Sequence, residues 1–199
     1  MQPPDLQLAF LQLLLDSLEP YLLSKEMFWP LEPGAGLPSE MPARLSLGIL
    51  AFTLDGLASQ ESHLPVAPRR ELLRLKRLWE THQTNWRAAV ERKSTQESRA
   101  RLSLWSAYLD ELDEAEAARE DYPHEVRQRV MIARLSGWSG EGPEAGRNAE
   151  RTRSLDARLK GRFETGPFVW EALLEQVYPA SDFWFLYGRP SSRAAAYLA

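Results

Sequence analysis

Large, mostly apolar side chains recur at alternating spacings of three and four residues in two stretches of this sequence. The first set comprises Leu72, Leu75, Trp79, His82, Trp86 and Ala89, and the second comprises Leu102, Trp105, Leu109 and Leu112. This is the spacing of the a and d positions of a heptad, which places all members of a set on one face of an α-helix. Two such faces in one chain predict helices that pack side by side in a bundle.

The remaining sequence alternates between helical patterns and breaks rich in proline or glycine. We predict an all-α fold, a single-domain antiparallel bundle of six to seven helices spanning 1–199, with an aromatic C-terminal segment packed on it. The predicted core helices cover about 5–18, 40–59, 68–93, 99–120 and 123–136. Peripheral helices are predicted at about 145–162 and 168–178, followed by an aromatic tail at 181–189.

The polar stretch Ser94–Ser98 separates the two heptad runs and permits two interpretations. It is either a tight turn between antiparallel helices or an exposed part of one long helix. Periodicity alone does not decide between them.

Length and composition agree with a globular protein. The chain has 199 residues, of which 44% are hydrophobic and 26% are charged, so it can bury a sizeable core. It contains no cysteine, which excludes disulfides, thiolate metal ligands and a cysteine nucleophile.

The apolar N-terminal stretch Leu6–Leu18 is shorter than the ~20 residues that cross a bilayer. No Lys or Arg precedes Lys25, whereas a secretory signal begins with a basic region. We therefore expect a cytoplasmic protein without a membrane partner.

Basic residues are concentrated between positions 69 and 101, with tryptophans among them. Cations and aromatic rings are the side chains that bind single-stranded nucleic acids. However, Trp79, Trp86 and Trp105 fall on the predicted core faces, and the acidic stretch 110–116 offers the bases partners within the chain. The sequence argues against nucleic acid as a partner.

Candidate metal ligands are few. The chain has three histidines, His63, His82 and His124, and neither a Glu-x-x-His nor a His-x-x-x-His pair. Asp121 lies near His124, but an acidic residue is expected there because it begins a helix. We predict no metal and no cofactor, with these four residues as the only candidates, and we interpret His82 as a hydrogen-bonded core histidine.

Signatures of catalysis are also missing from the sequence. It contains no Gly-x-Ser-x-Gly elbow and no phosphate-binding glycine loop. The acidic residues of 110–116 are nearly consecutive, so they spread around a helix instead of converging. No catalytic residue is predicted.

Aromatic residues gather in three segments that contain prolines or glycines or lie beside them. Two interpretations fit this pattern. The rings pack across one end of the bundle and close its core, or they line a binding site or interface whose candidate residues are Phe28, Trp29, Trp170, Phe183, Trp184, Tyr187 and the neighbouring Arg189.

Two functional hypotheses follow. The first is a non-catalytic helical protein that mediates self-association or binds an unknown protein partner. The alternative is a small-molecule-binding or metal-binding bundle, or an enzyme, with its pocket near the aromatic segments or His82.

Overall fold

The fold is all-α, as the computed structural model describes it for residues 3–31 and 42–191. Within these ranges the helices are α1 (Pro4–Asp16), α2 (Leu18–Leu23), α3 (Leu47–Ala58), α4 (Val66–Asn85), α5 (Arg87–Glu114), α6 (Tyr122–Ser136) and α7 (Pro143–Lys160). Two short antiparallel ribbons accompany them, β1 (Trp29–Pro30) with β2 (Arg44–Leu45) and β3 (Phe163–Phe168) with β4 (Tyr187–Pro190). In the described ranges no helix combines the length and the hydropathy needed to cross a membrane.

Two hydrophobic clusters make up the core. The first is built mainly of leucines from α1 to α4, together with Ala89 and Val90 at the start of α5. The second contains Leu102, Trp105 and Leu109 of α5, with side chains of α6, α7 and the chain after β3. Helix α5 thus contributes to both clusters, and it packs most extensively against α6.

The break between the two heptad runs lies at Trp86, and Ser94–Ser98 are part of α5. Trp86 has φ −118° and ψ 27°, outside helical geometry, so α4 ends at Asn85 and α5 begins at Arg87. The prediction of separate helices at about 68–93 and 99–120 is therefore wrong in its boundary. Of the two interpretations of Ser94–Ser98, the long helix is right but its exposure is wrong, because Ser94, Glu97 and Ser98 are buried.

Other helix ends differ from the predicted ones by several residues. The helix predicted at 40–59 begins at Leu47, where the Ser46 hydroxyl caps it by accepting from the Ile49 N–H at 3.3 Å. Positions 40 and 41 lie outside the described residues. At its C-terminal end α5 stops at Glu114, and a 3₁₀ turn, Glu116–Arg119, replaces the last predicted turn.

The helix predicted at about 168–178 is wrong. Phe168 ends β3 and pairs with Tyr187 of β4, and only Ala172–Leu174 forms a 3₁₀ turn. The predicted aromatic tail at 181–189 supplies the partner strand, which requires Gly188 at φ 142°, a conformation that disfavours side chains. Pairing between positions distant in the chain overrides the local apolar pattern here.

Candidate ligand-binding groove

A groove of about 930 Å³ lies among α1, α3, α6 and the chain that follows β3. Its wall is mainly apolar, with polar side chains interspersed. Its apolar lining includes Phe10, Ile49, Phe52, Met131, Trp170 and Leu174. A mainly apolar concavity of this size, with few polar groups, is the usual form of a small-molecule site.

Trp170 is the central aromatic residue of this groove. Its ring meets Phe52 edge to face at a centroid distance of 5.7 Å and meets Tyr178 at 5.5 Å. Its Nε1–H donates to the Pro123 carbonyl at 2.7 Å, which satisfies the polar end of the indole. The ring is therefore held in place while remaining half-buried at the groove.

The β3–β4 ribbon places Trp170 there. The Val169 N–H donates to the Leu186 carbonyl at 2.9 Å, extending the pairing by one residue beyond Phe168. Further along, the Gln176 side-chain amide donates to the Ser59 carbonyl at the end of α3. The segment 169–178 is thus attached to the ribbon at one end and to α3 at the other.

A largely buried carboxylate holds this segment to two helices. Asp55 Oδ2 accepts hydrogen bonds from Arg134 Nε at 2.8 Å and from Tyr178 Oη at 3.0 Å. Burial raises the pKa of the Asp55 carboxyl, although the charge and hydrogen bond of Arg134 oppose that rise. Burial, together with the Asp55 charge, also raises the pKa of the Tyr178 hydroxyl, which stays protonated and donates.

Two charged residues line the groove, one of each sign. The exposed Arg127 lies over the Phe52 ring, its guanidinium carbon 5.9 Å from the ring centroid. Arg127 forms no ion pair with any carboxylate in the part of the chain that the structure describes. Glu171, next to Trp170, is the acidic lining residue.

A second polar site, buried between α3 and α5, had no signal in the sequence. Glu97 is fully buried and accepts from the Gly48 N–H at 3.1 Å, from the Ser46 hydroxyl at 2.8 Å and from Arg101 Nε at 2.7 Å. The carboxylate therefore meets the positive end of the α3 dipole. Arg101 extends the network to α6 by donating to Gln128 at 2.8 Å. This clamp, formed by Ser46, Gly48, Glu97, Arg101 and Gln128, joins three helices.

Lys93 lies one turn before Glu97 and is also buried. Its ammonium group lies 4.3 Å from the Tyr21 ring centroid, and it donates to the Ser24 hydroxyl at 3.3 Å and to the Glu26 carbonyl. Burial lowers the pKa of the Lys93 ammonium group. Two basic residues of the 69–101 stretch, Lys93 and Arg101, thus serve packing inside the bundle.

The predicted binding residues do not form one site. Of the seven, Trp170 alone lines the groove, and Arg189 lines a small surface depression with Arg119 and Glu120. The other five residues line neither site, and four of them pack on one or the other of the two core clusters. Trp29 packs on the first cluster; Phe183, Trp184 and Tyr187 belong to or pack on the second, and Phe28 is half-buried.

The predicted metal candidates do not converge either. No three His, Cys, Asp or Glu side chains within 3–31 and 42–191 are grouped as a metal site requires. His63, His124 and Asp121 are exposed, and the nearest carboxylate to His124 is Glu125 at 3.9 Å. His82 is half-buried rather than in the core, and it lies in the last turn of α4.

No short motif in the sequence gathers the residues of the groove. Phe52, Arg127 and Trp170 come from α3, α6 and the chain after β3, and only the aromatic segment around Trp170 gave a signal. Comparisons with models of protein families, with curated proteins and with solved structures find no match to this chain.

Proposed function

We propose that this protein is a binding protein whose groove takes up the apolar part of a small ligand. The observation that carries the proposal is the 930 Å³ groove with Trp170 and Phe52 in its wall. Burying apolar ligand surface there contributes about 25 cal/mol per Å². A ligand with an aromatic ring or an alkyl chain fits this wall best.

The charge at the groove favours an anionic group on that ligand. Arg127 is exposed, and its described contact is with the Phe52 ring, so its guanidinium can still donate to a carboxylate or sulfonate. Glu171 at the same groove opposes an anion through like charge. The two residues should therefore affect the affinity for an anionic ligand in opposite directions.

The chemistry of the described lining residues supports binding without catalysis. The Thr53 hydroxyl donates to the Ile49 carbonyl at 2.9 Å, and the Tyr178 hydroxyl donates to Asp55. Both hydroxyls are engaged in structural hydrogen bonds. Thr53 donates to a backbone carbonyl, and the Asp55 carboxylate that accepts from Tyr178 is itself paired with Arg134 and holds the segment to α3 and α6. The proposed role is thus uptake, storage or sensing of the ligand.

Fluorescence titration with an anionic aromatic probe, 8-anilinonaphthalene-1-sulfonate, tests the proposal, with dodecanoate as competitor and dodecanol as its uncharged analogue. We expect saturable binding that Trp170→Leu weakens at least tenfold. Trp184→Leu is the matched control, because Trp184 is also a half-buried tryptophan of the C-terminal segment but lies outside the groove. Equal loss in both variants, or no saturable binding, would contradict the proposal.

The charge preference is tested by neutralising each rim residue. Arg127→Gln should weaken probe binding by about two- to fivefold, the value of an exposed ion pair of ~0.5–1 kcal/mol. Glu171→Gln should leave binding unchanged or strengthen it. If dodecanol competes as well as dodecanoate and both variants bind like the parent, the ligand is apolar and uncharged.

A second candidate function is self-association or capture of a protein partner. The groove favours it too, because an open apolar groove also accepts side chains of another protein. Native mass spectrometry separates the two: a monomer with a small adduct supports ligand binding, and a bare dimer supports self-association. We also propose, on sequence grounds, that the protein is cytoplasmic.

A further inference from the structure

Helical serine and threonine hydroxyls in this protein commonly donate to the carbonyl four residues earlier. The donors are Thr53, Thr81, Thr84, Thr95, Ser103 and Thr152, at distances of 2.8 to 3.3 Å. Two of them, Thr95 and Ser103, lie on α5. This local bond is the ordinary way for a hydroxyl within a helix to satisfy its proton.

Ser94 and Ser98, also on α5, do not make this bond. Both side chains are buried, and neither hydroxyl oxygen has a hydrogen-bond partner among the described residues. Buried hydroxyls without partners are rare because they lose their hydrogen bonds to water without replacing them. The contrast with Thr95, the very next residue, indicates that the two serines are satisfied in another way.

The inner part of α5 around these serines is polar. Lys93 and Glu97 adjoin them in the sequence and are buried, and Arg101 follows one turn later. Two turns after Ser98, the buried Trp105 Nε1–H also lacks an acceptor in the described part of the chain. A polar interior of this kind is where proteins hold ordered water, whereas apolar cavities stay dry.

The spacing of the serines fits one bridging molecule. Side chains four residues apart on a helix have Cβ atoms roughly 5–6 Å apart. A water molecule about 2.8 Å from each oxygen, bonding at roughly tetrahedral angles, bridges two hydroxyl oxygens about 4.5 Å apart, and side-chain rotamers turned toward each other bring the oxygens that close from these Cβ positions. Its remaining hydrogen-bonding capacity can be met by helix carbonyls, which keep a second lone pair after accepting a backbone N–H.

We propose that Ser94 and Ser98 form an internal binding site for a water molecule inside the bundle. The water bridges the two hydroxyls and replaces the local bond that the other helical hydroxyls make. This site is independent of the groove, since neither serine lines it.

Magnetic relaxation dispersion of water ¹⁷O on the intact protein tests the proposal, because it counts waters held inside a protein for longer than the tumbling time. We expect one long-lived water fewer in Ser94→Ala/Ser98→Ala than in the parent. Ser103→Ala is the matched control, since Ser103 is on the same helix but exposed and locally bonded. An unchanged count in the double variant would overturn the site.

Urea unfolding of the single variants gives a second readout that does not need the double variant to fold. If the water bridges both hydroxyls, either Ser→Ala change lowers the folding equilibrium constant about two- to tenfold. If the hydroxyls were simply unsatisfied, each change would raise it. Parent-like or higher constants in both single variants would therefore contradict the proposal.

Discussion

The two halves of the core are built from different side chains and by different routes. The first cluster is mostly leucine, supplied by regularly spaced positions of α1, α3 and α4. The second is rich in aromatic rings, among them Trp105, Tyr122, Tyr178 and Phe185, and part of it comes from the non-helical chain after β3. Aromatic rings pack edge to face and carry polar ends that need partners. The second half therefore depends on specific hydrogen bonds as well as on burial.

One such bond shows the dependence. The Tyr122 hydroxyl, buried in α6, donates to the Phe185 carbonyl at 2.5 Å, and the Arg129 guanidinium lies 4.5 Å from the Phe185 ring centroid. Tyr108 similarly donates to the Ala118 carbonyl at 3.0 Å. Leucines of the first half need no such partners. The stability of the two halves should therefore respond differently to truncation of the chain and to removal of polar groups.

The largest effect is expected from removing residues 181–199. This truncation deletes Phe183, Phe185 and Leu186 from the second cluster and β4 from its ribbon. Because removing even one buried aromatic side chain costs ~3–5 kcal/mol, we expect loss of cooperative folding. Circular dichroism with urea titration measures it. A truncated chain with a parent-like midpoint would show that the segment is peripheral, and would favour the interaction hypothesis.

A smaller effect is expected where the halves meet, at the Glu97 clamp. Glu97→Ala leaves the Arg101 guanidinium buried without its carboxylate, which typically costs ~3–5 kcal/mol. The matched control is Glu91→Ala, which breaks the exposed pair with Arg87 at the same spacing on the same helix and should cost under ~1 kcal/mol. Urea unfolding compares the two. Equal costs would mean that the clamp contributes no more than a surface pair.

Gly48→Ala probes the same clamp through space. A Cβ at Gly48 would stand 2.5 Å from Glu97 Oε1 and 2.8 Å from Arg101 Nε, so the ion pair must shift. We expect a loss of about 1–3 kcal/mol in the free energy of unfolding. Gly146→Ala in α7 is the control, because nothing lies within 4 Å of its added Cβ. That change should stabilise by up to ~1 kcal/mol. The same sign in both variants would refute the steric account.

The smallest effect concerns pH and the aromatic half. Since the folded state raises the pKa of Asp55, folding takes up a proton between the unfolded and folded pKa values. Asp55 therefore stabilises the folded state below its unfolded pKa, and this contribution is lost as pH rises through the folded pKa. Asp55→Asn should remove the resulting fall in the free energy of unfolding, which urea unfolding at several pH values above about 4 measures. Parallel pH curves for the two proteins would exclude a titrating Asp55.

The two halves also differed in what the sequence predicted. The heptad spacing of Leu72, Leu75 and Trp79 indicated the buried face of α4 because helical periodicity is local. The pairing of Phe168 with Tyr187 and the burial of Glu97 depend on residues distant in the chain, which no local pattern encodes. Ser94–Ser98 looked exposed for the same reason. Among the groove residues, Trp170 alone was predicted, since Phe52 and Arg127 resemble ordinary helix positions.

Helix α5 has a consequence for the order in which the chain folds during synthesis. Its 28 residues span about 42 Å at 1.5 Å per residue, and its first turns add Ala89 and Val90 to the leucine cluster. On the ribosome, Ser46 and Gly48 can therefore engage Glu97 before α6 has emerged, whereas Gln128 can reach Arg101 only later. The contacts of Ser46 and Gly48 with Glu97 would then fix α5 in position before the aromatic half packs against it.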